Sequence, residues 1–312
     1  MQEDKWKERL LSSGLPLEYI LQTRLQALDL FISNEFNYQR IDETGREKAF
    51  STDMQAVKRL RGPVFLEMIL ECKYKRPGSK WIFNPVHPSD NFSRRSHYTL
   101  YDSISEKVFF EAFHPTLLDE DIPLVVKGTD IIDNSENPRT IKEGISQIRY
   151  AMLEYYIDLL QDHFIQRSFL KRDLDILRLL TGIIVTTADL WVLNKDIELE
   201  SISNAKDLSE VAEKVPFLHI RDFSTREFSD YTDRRILDRL LNYKIHVKEM
   251  DDWYEKEIKL RLKDEELRRR LLDFDVSSFA ICHIDHVAEY IERMILRLNE
   301  APPITDKYSS DR

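Results

Sequence analysis

Period-two alternation of side chains runs through Pro63-Val64-Phe65-Leu66-Glu67-Met68-Ile69-Leu70-Glu71-Cys72-Lys73-Tyr74-Lys75, which reads as a strand. Val64, Leu66, Met68, Leu70 and Cys72 fall on one face, and Phe65, Glu67, Ile69, Glu71 and Lys73 on the other. So apolar a strand belongs near the middle of a sheet, where charge is costly unless paired or ligated. Glu71 and Lys73 nevertheless share a face at its C-terminal end. Upstream, Phe36–Asp42 and Lys48–Val57 read as a hairpin closed by Glu43-Thr44-Gly45, with Asp53 inside its second strand. Before it, Leu17, Ile20, Leu21, Leu25, Leu28 and Phe31 recur at helical spacing. They predict a helix from Pro16 to about Ile32 with Glu18 in its first turn, preceded by a short helix over Lys5–Leu11.

Downstream, Trp81-Ile82-Phe83 either prolongs the sheet or begins a lid, and Asn84–Tyr98 reads as loop. Helix is expected within Leu100–Phe113, a strand over Ile122–Val126, and a long helix over Ile141–Gln161. Thr181–Leu193 reads as one or two strands whose Ile183-Ile184-Val185 is buried on both faces. Ala205–Lys214 reads as a short helix and Pro216–Ile220 as a strand. Charge-rich helical patterns follow over Asp230–Val247 and Asp251–Leu272, then a strand over Ser277–Ile284 and a helix over Val287–Leu298. The expected division is a core over 1–223, a helical insertion or hairpin over 224–276, and a final strand and helix over 277–312 that pack back on the core.

The chain has 312 residues, and its 42% apolar content is enough for a substantial core. A net charge of -10 argues against a general positive coat but leaves room for a local patch. Lys58, Arg59, Arg61, Lys73, Lys75, Arg76 and Lys80 outnumber Glu67 and Glu71, and Arg94 and Arg95 follow beside Phe92 and Tyr98. These residues read either as phosphate contacts or as solvated surface. Cys72 and Cys282 are far apart without a CxxC partner, which excludes a zinc ribbon or a disulfide scaffold. No apolar run is long enough to span a membrane and the N-terminus lacks a signal core, so a cytoplasmic protein is expected. His283 and His286 flank Asp285, but no helical i,i+4 histidine pair and no GxxxxGK[ST] loop is present.

Two carboxylates on neighbouring strands, Asp53 and Glu71, can share a hard divalent ion such as Mg²⁺ or Mn²⁺. Such an ion lowers the pKa of its bound water and offsets phosphodiester charge. Lys73, two residues from Glu71, can orient the water or stabilise developing charge. A plain Glu-Lys pair at a sheet edge accounts for the same residues.

The order of a helix, a strand, a strand with Asp53, a strand with Glu71-Cys72-Lys73 and a helix resembles the core of the PD-(D/E)xK nuclease superfamily, the restriction endonuclease-like fold. Gly14-Leu15-Pro16-Leu17-Glu18 resembles the opening of its first core helix, Ser51-Thr52-Asp53-Met54 its catalytic aspartate segment, and Leu70-Glu71-Cys72-Lys73 its half-motif. No proline precedes Asp53, a departure from the strict pattern. The resemblance covers about residues 14–194 and implies an α/β fold: a mixed central sheet flanked by helices, here with a helical addition in the C-terminal third. It implies a metal-dependent endonuclease or other phosphodiesterase hydrolysing DNA. Asp53, Glu71, Lys73, Glu18 and Gln147 would be catalytic, and Asp53, Glu71 and Glu18 would hold the metal. Lys75, Arg76, Lys80, Arg94, Arg95 and Tyr150 are candidate nucleic-acid contacts, and a homodimer is compatible. The alternative is an inactive nuclease-fold protein that binds nucleic acid or other proteins.

Overall fold

A computed structural model describes residues 5–41, 46–61, 64–86, 99–101, 121–132, 135–136, 139–165, 177–222, 225–265, 268, 272, 274 and 278–300. Among them runs a mixed sheet of twelve strands. The chain opens with α1 (Lys5–Ser12) and α2 (Leu15–Gln26). Then come β1 (Phe31–Ile41), β2 (Glu47–Arg59), β3 (Val64–Lys73), β4 (Lys80–Pro85), β5 (Thr99–Tyr101), β6 (Leu124–Ile132) and β7 (Ser135–Glu136). The long α3 (Arg139–Phe164) leads to β8 (Leu177–Thr186), β9 (Asp189–Leu193) and α4 (Leu199–Asn204). The order ends with β10 (Ala212–Val215), β11 (Phe217–Arg221), α5 (Arg226–Asn242), α6 (Lys248–Arg261), β12 (Ser278–His283) and α7 (Val287–Glu300).

Across the sheet the strands run β1-β2-β3-β8-β12-β11-β6-β4-β9-β10, with β5 added to β8 and β7 to β6. As its apolar run predicts, β3 is interior, antiparallel to β2 and parallel to β8 over its whole length. The parity reading also holds. Leu66, Met68, Leu70 and Cys72 join Leu17, Leu21 and Leu25 of α2 and Met294 of α7 in one core. Ile69 and Ile184 join Ile145, Ile148, Met152 and Tyr156 of α3 in the other. α5 and α6 add Ile236, Leu240, Tyr254 and Ile258 to that second core, forming the helical addition. The charge at mid-β3 is satisfied: fully buried Glu67 accepts from Arg178 of β8 and Tyr155 of α3, each at 2.6 Å.

Several elements differ from the sequence reading. α2 stops at Gln26, not Ile32, and β1 starts at Phe31, not Phe36. Asp29 takes a left-handed φ of 55°, and the Lys58 ammonium donates at 3.0 Å to each of the Leu28 and Asp29 carbonyls. A distant lysine thus helps end the helix, which local spacing cannot register. Ala205–Lys214 is not a helix. Asp207 caps a short 3-10 turn, and β10 then pairs along β9, where Ala212 and Val215 are buried. α5 ends at Asn242, short of Val247, and α6 at Arg261. Trp81-Ile82-Phe83 lies in the sheet rather than in a lid. Of the helix expected within Leu100–Phe113, Leu100 and Tyr101 belong to β5 and the remainder lies outside the described residues. No helix among the described residues is long and apolar enough to cross a membrane.

Candidate active site

The β2–β3 pairing runs from Arg59↔Phe65 to Met54↔Leu70. Beyond that point Asp53 Oδ2 accepts the Cys72 backbone N–H at 2.6 Å. A carboxylate therefore takes over the amide of the residue between Glu71 and Lys73. Opposite, Thr186 of β8 donates to the Lys73 carbonyl at 2.9 Å, and Thr187 donates to the Lys75 carbonyl at 2.8 Å. The end of β3 is held from both sides.

On the α3 side of the sheet, Lys73 Nζ donates to Glu71 Oε1 at 2.8 Å and to Gln147 Oε1 at 2.7 Å. Tyr38 of β1 donates to the Gln147 carbonyl at 3.2 Å, so α3 is fixed at that residue. Glu71 is 3% exposed, and among the described residues its Oε2 has no hydrogen-bond partner. Burial, then the Asp53 charge, pushes its carboxyl from an ordinary 4.5 up to about 7 against the pull of Lys73. Burial likewise raises Asp53, opposed by the Cys72 amide and by Lys73.

Glu18 approaches on α2, which packs on the opposite sheet face. Its carboxyl is raised by burial, then by Asp53 and Glu35. Gly14 makes this helix entry, at φ 81°, where a Cβ would lie 3.1 Å from Glu18 Oε1. Glu35 was not singled out from sequence. It sits between the registered pairs Asn34↔Met54 and Phe36↔Thr52, with a left-handed φ of 65°, and its charge raises both Glu18 and Asp53. A non-glycine residue held there marks backbone constraint beside the carboxylates.

The structure thus brings Asp53, Glu71, Lys73 and Gln147 together, with Glu18 near Asp53. Other candidates have different surroundings. Lys75 pairs with buried Asp130 at 2.5 Å and donates to Thr140 at 3.0 Å. Arg76 pairs with Glu8 of α1, and Lys80 is the half-buried first residue of β4. Tyr150 lies edge-on to Phe228 and Tyr231 of α5, with the Arg40 guanidinium 4.6 Å from its ring centre. Arg94 and Arg95 lie outside the described residues. Cys72 is buried in the α2-side core, as its parity predicts. Among the described residues no group of three or more His, Cys, Asp or Glu side chains is arranged to hold a metal ion. Scanned against known protein families, curated proteins and solved structures, the chain matches none of them.

The raised Glu71 carboxyl makes stability depend on pH in a defined direction. Below the ordinary 4.5 both folded and unfolded forms hold the proton; between 4.5 and about 7 only the folded form does, so stability is lost as pH rises. The expected loss from this group is about 3 kcal/mol, since each pKa unit is worth about 1.4 kcal/mol. Urea unfolding in chelator should show this slope in the wild type and a shallower one in Glu71→Gln. Equal slopes would contradict the assignment.

Proposed function

We propose that the chain is a metal-dependent phosphodiesterase of the PD-(D/E)xK type that hydrolyses DNA. The observation that carries this reading is the buried Glu71 carboxyl, whose Oε1 holds Lys73 while among the described residues no side-chain or backbone donor lies within hydrogen-bond distance of Oε2, with Asp53 close enough for its charge and backbone amide to act on the group. Two neighbouring buried carboxyls, both with raised proton affinity in the absence of a cation, fit a divalent cation that would favour their ionised forms. Mg²⁺ keeps several waters and takes one or two carboxylates plus substrate phosphate, so two protein carboxylates would suffice for it. Asp53 and Glu71 would hold it, with Glu18 available at the Asp53 side. When bound, the ion would lower the pKa of a coordinated water and offset phosphate charge.

The protein's own part follows from the contacts. The Cys72 amide fixes Asp53, and Gln147 fixes Lys73 from across the sheet face. Lys73 then presents a compact positive charge beside Glu71, where charge on a phosphodiester would grow as water attacks phosphorus and one bridging P–O bond breaks. The order α2-β1-β2-β3, followed after β4 to β7 by α3 and β8, supports the nuclease-core reading.

Mn²⁺ or Mg²⁺ titration by calorimetry, with cleavage of duplex DNA, tests the proposal on the wild type and Asp53→Asn. The wild type should bind the ion and cut, and Asp53→Asn should lose both. DNA binding without metal binding or cleavage would replace this reading with an inactive nucleic-acid-binding module. Neither ion nor DNA binding would remove both.

A further inference from the structure

The geometry points to Gly144 as a positioning residue for Lys73, an inference that rests on the nuclease reading for its kinetic consequence but not for its geometry. Gly144 lies within the 26-residue α3, one turn before Gln147, where no turn or left-handed φ requires a glycine. A glycine in a helix interior weakens the helix relative to alanine, so the position needs another explanation. A Cβ there would lie 3.3 Å from Lys73 Cε and 3.2 Å from Ile184 Cδ1, with Ile184 Cγ1 at 3.7 Å. Both close contacts are tighter than ordinary packing.

The missing side chain therefore makes a channel on α3 through which the Lys73 stem crosses to the helix. From there Nζ bridges Glu71 at 2.8 Å and Gln147 at 2.7 Å. Lys73 cannot readily yield, because its ammonium is held at both ends of that bridge and its carbonyl is fixed by Thr186. A Cβ at residue 144 would push the stem toward the sheet and pull the ammonium out of its position by a few tenths of an ångström. The backbone of α3 thus sets the reach of the lysine, and Gly144 acts through it without touching substrate.

Gly144→Ala separates this role from simple packing when combined with Ile184→Val. The valine removes Cδ1, so in the double variant the one remaining tight contact is with Lys73. Gly144→Ala should fold with an unchanged or raised melting temperature. Its kcat on duplex DNA should fall roughly tenfold at unchanged KM, scaled from the roughly hundredfold that an ångström of misplacement costs. Ile184→Val alone should be near wild type, and the double variant should stay slow. Recovery of kcat in the double variant would assign the effect to Ile184 and overturn the inference, as would wild-type kcat in Gly144→Ala. The side-chain amide resonances of Gln147 supply an arm independent of cleavage: they should shift in Gly144→Ala and in the double variant. If the wild type does not cut DNA, the nuclease reading has failed. Shifted Gln147 resonances would then still support the positioning role, and unchanged ones would end it.

Discussion

If the chain is the nuclease proposed above, Lys73→Met should cut DNA about 10²–10³-fold more slowly than the wild type in single-turnover assays with saturating Mg²⁺, the usual cost of removing one preorganised electrostatic group. Methionine keeps most of the stem volume and removes the ammonium. It also releases Gln147 Oε1 and takes away the partner of Glu71 Oε1. Glu71→Gln should lose at least as much, for a different reason: it keeps a polar oxygen for Lys73 but removes the anion. Lys73→Arg should not restore the rate, because a planar guanidinium is broader than the ammonium seated between Glu71 and Gln147. All three proteins should retain the circular dichroism of the wild type. A Lys73→Met protein that cuts within threefold of wild type would leave the Glu-Lys pair as a structural contact only.

The largest expected loss of stability lies away from those residues. Arg235 of α5 has a side chain only 2% exposed, and its guanidinium donates to Glu154 of α3 at 2.6 and 3.3 Å. It also donates to Glu47 of β2 at 3.1 Å and to the Gln39 carbonyl of β1 at 2.9 Å. One side chain thereby ties the helical addition to α3 and to the outer hairpin. Arg235→Ala strands the Glu154 carboxylate in a buried site with Arg239 as its remaining ion-pair partner, at 3.0 Å. Breaking one side of such a pair costs about 3–5 kcal/mol. The lower end is expected, because Arg239 stays and burial already favours the protonated form of Glu154. Replacing Arg235 and Glu154 together by methionine should recover much of the loss, since no buried charge is then left alone. Chemical denaturation of the wild type and the two variants reads the difference. A loss under about 1 kcal/mol for Arg235→Ala would place the pair in the range of weak surface contacts.

The legible parts of this chain were those written in short-range pattern. Alternation along β3 placed Cys72 in one core and Glu71 with Lys73 on the other face, and the apolar run of β8 placed it inside the sheet. The helical pattern over Ile141–Gln161 gave α3, which runs Arg139–Phe164. What escaped was decided by partners far along the chain. Lys58 closes the end of α2 from a neighbouring strand, and Asp130 engages Lys75 across the sheet. Tyr150 is drawn into an aromatic group with α5. Glu35 was invisible for another reason: nothing in Ser33-Asn34-Glu35-Phe36 signals that the glutamate takes a left-handed backbone opposite Asp53.

The placement of β12 bears on how the molecule is made. It enters the sheet between β8, which it meets in parallel, and β11, which it meets antiparallel, although among the described strands it comes last in chain order. During vectorial synthesis β8 and β11 leave the ribosome with bare hydrogen-bonding rims on the sides that will face one another. Those rims are templates for pairing with the wrong chain until the late strand arrives. Closure of the sheet therefore waits until β12 has emerged. The half carrying Asp53, Glu71 and Lys73 is joined through β12 to β11 and the strands beyond it only at that final step.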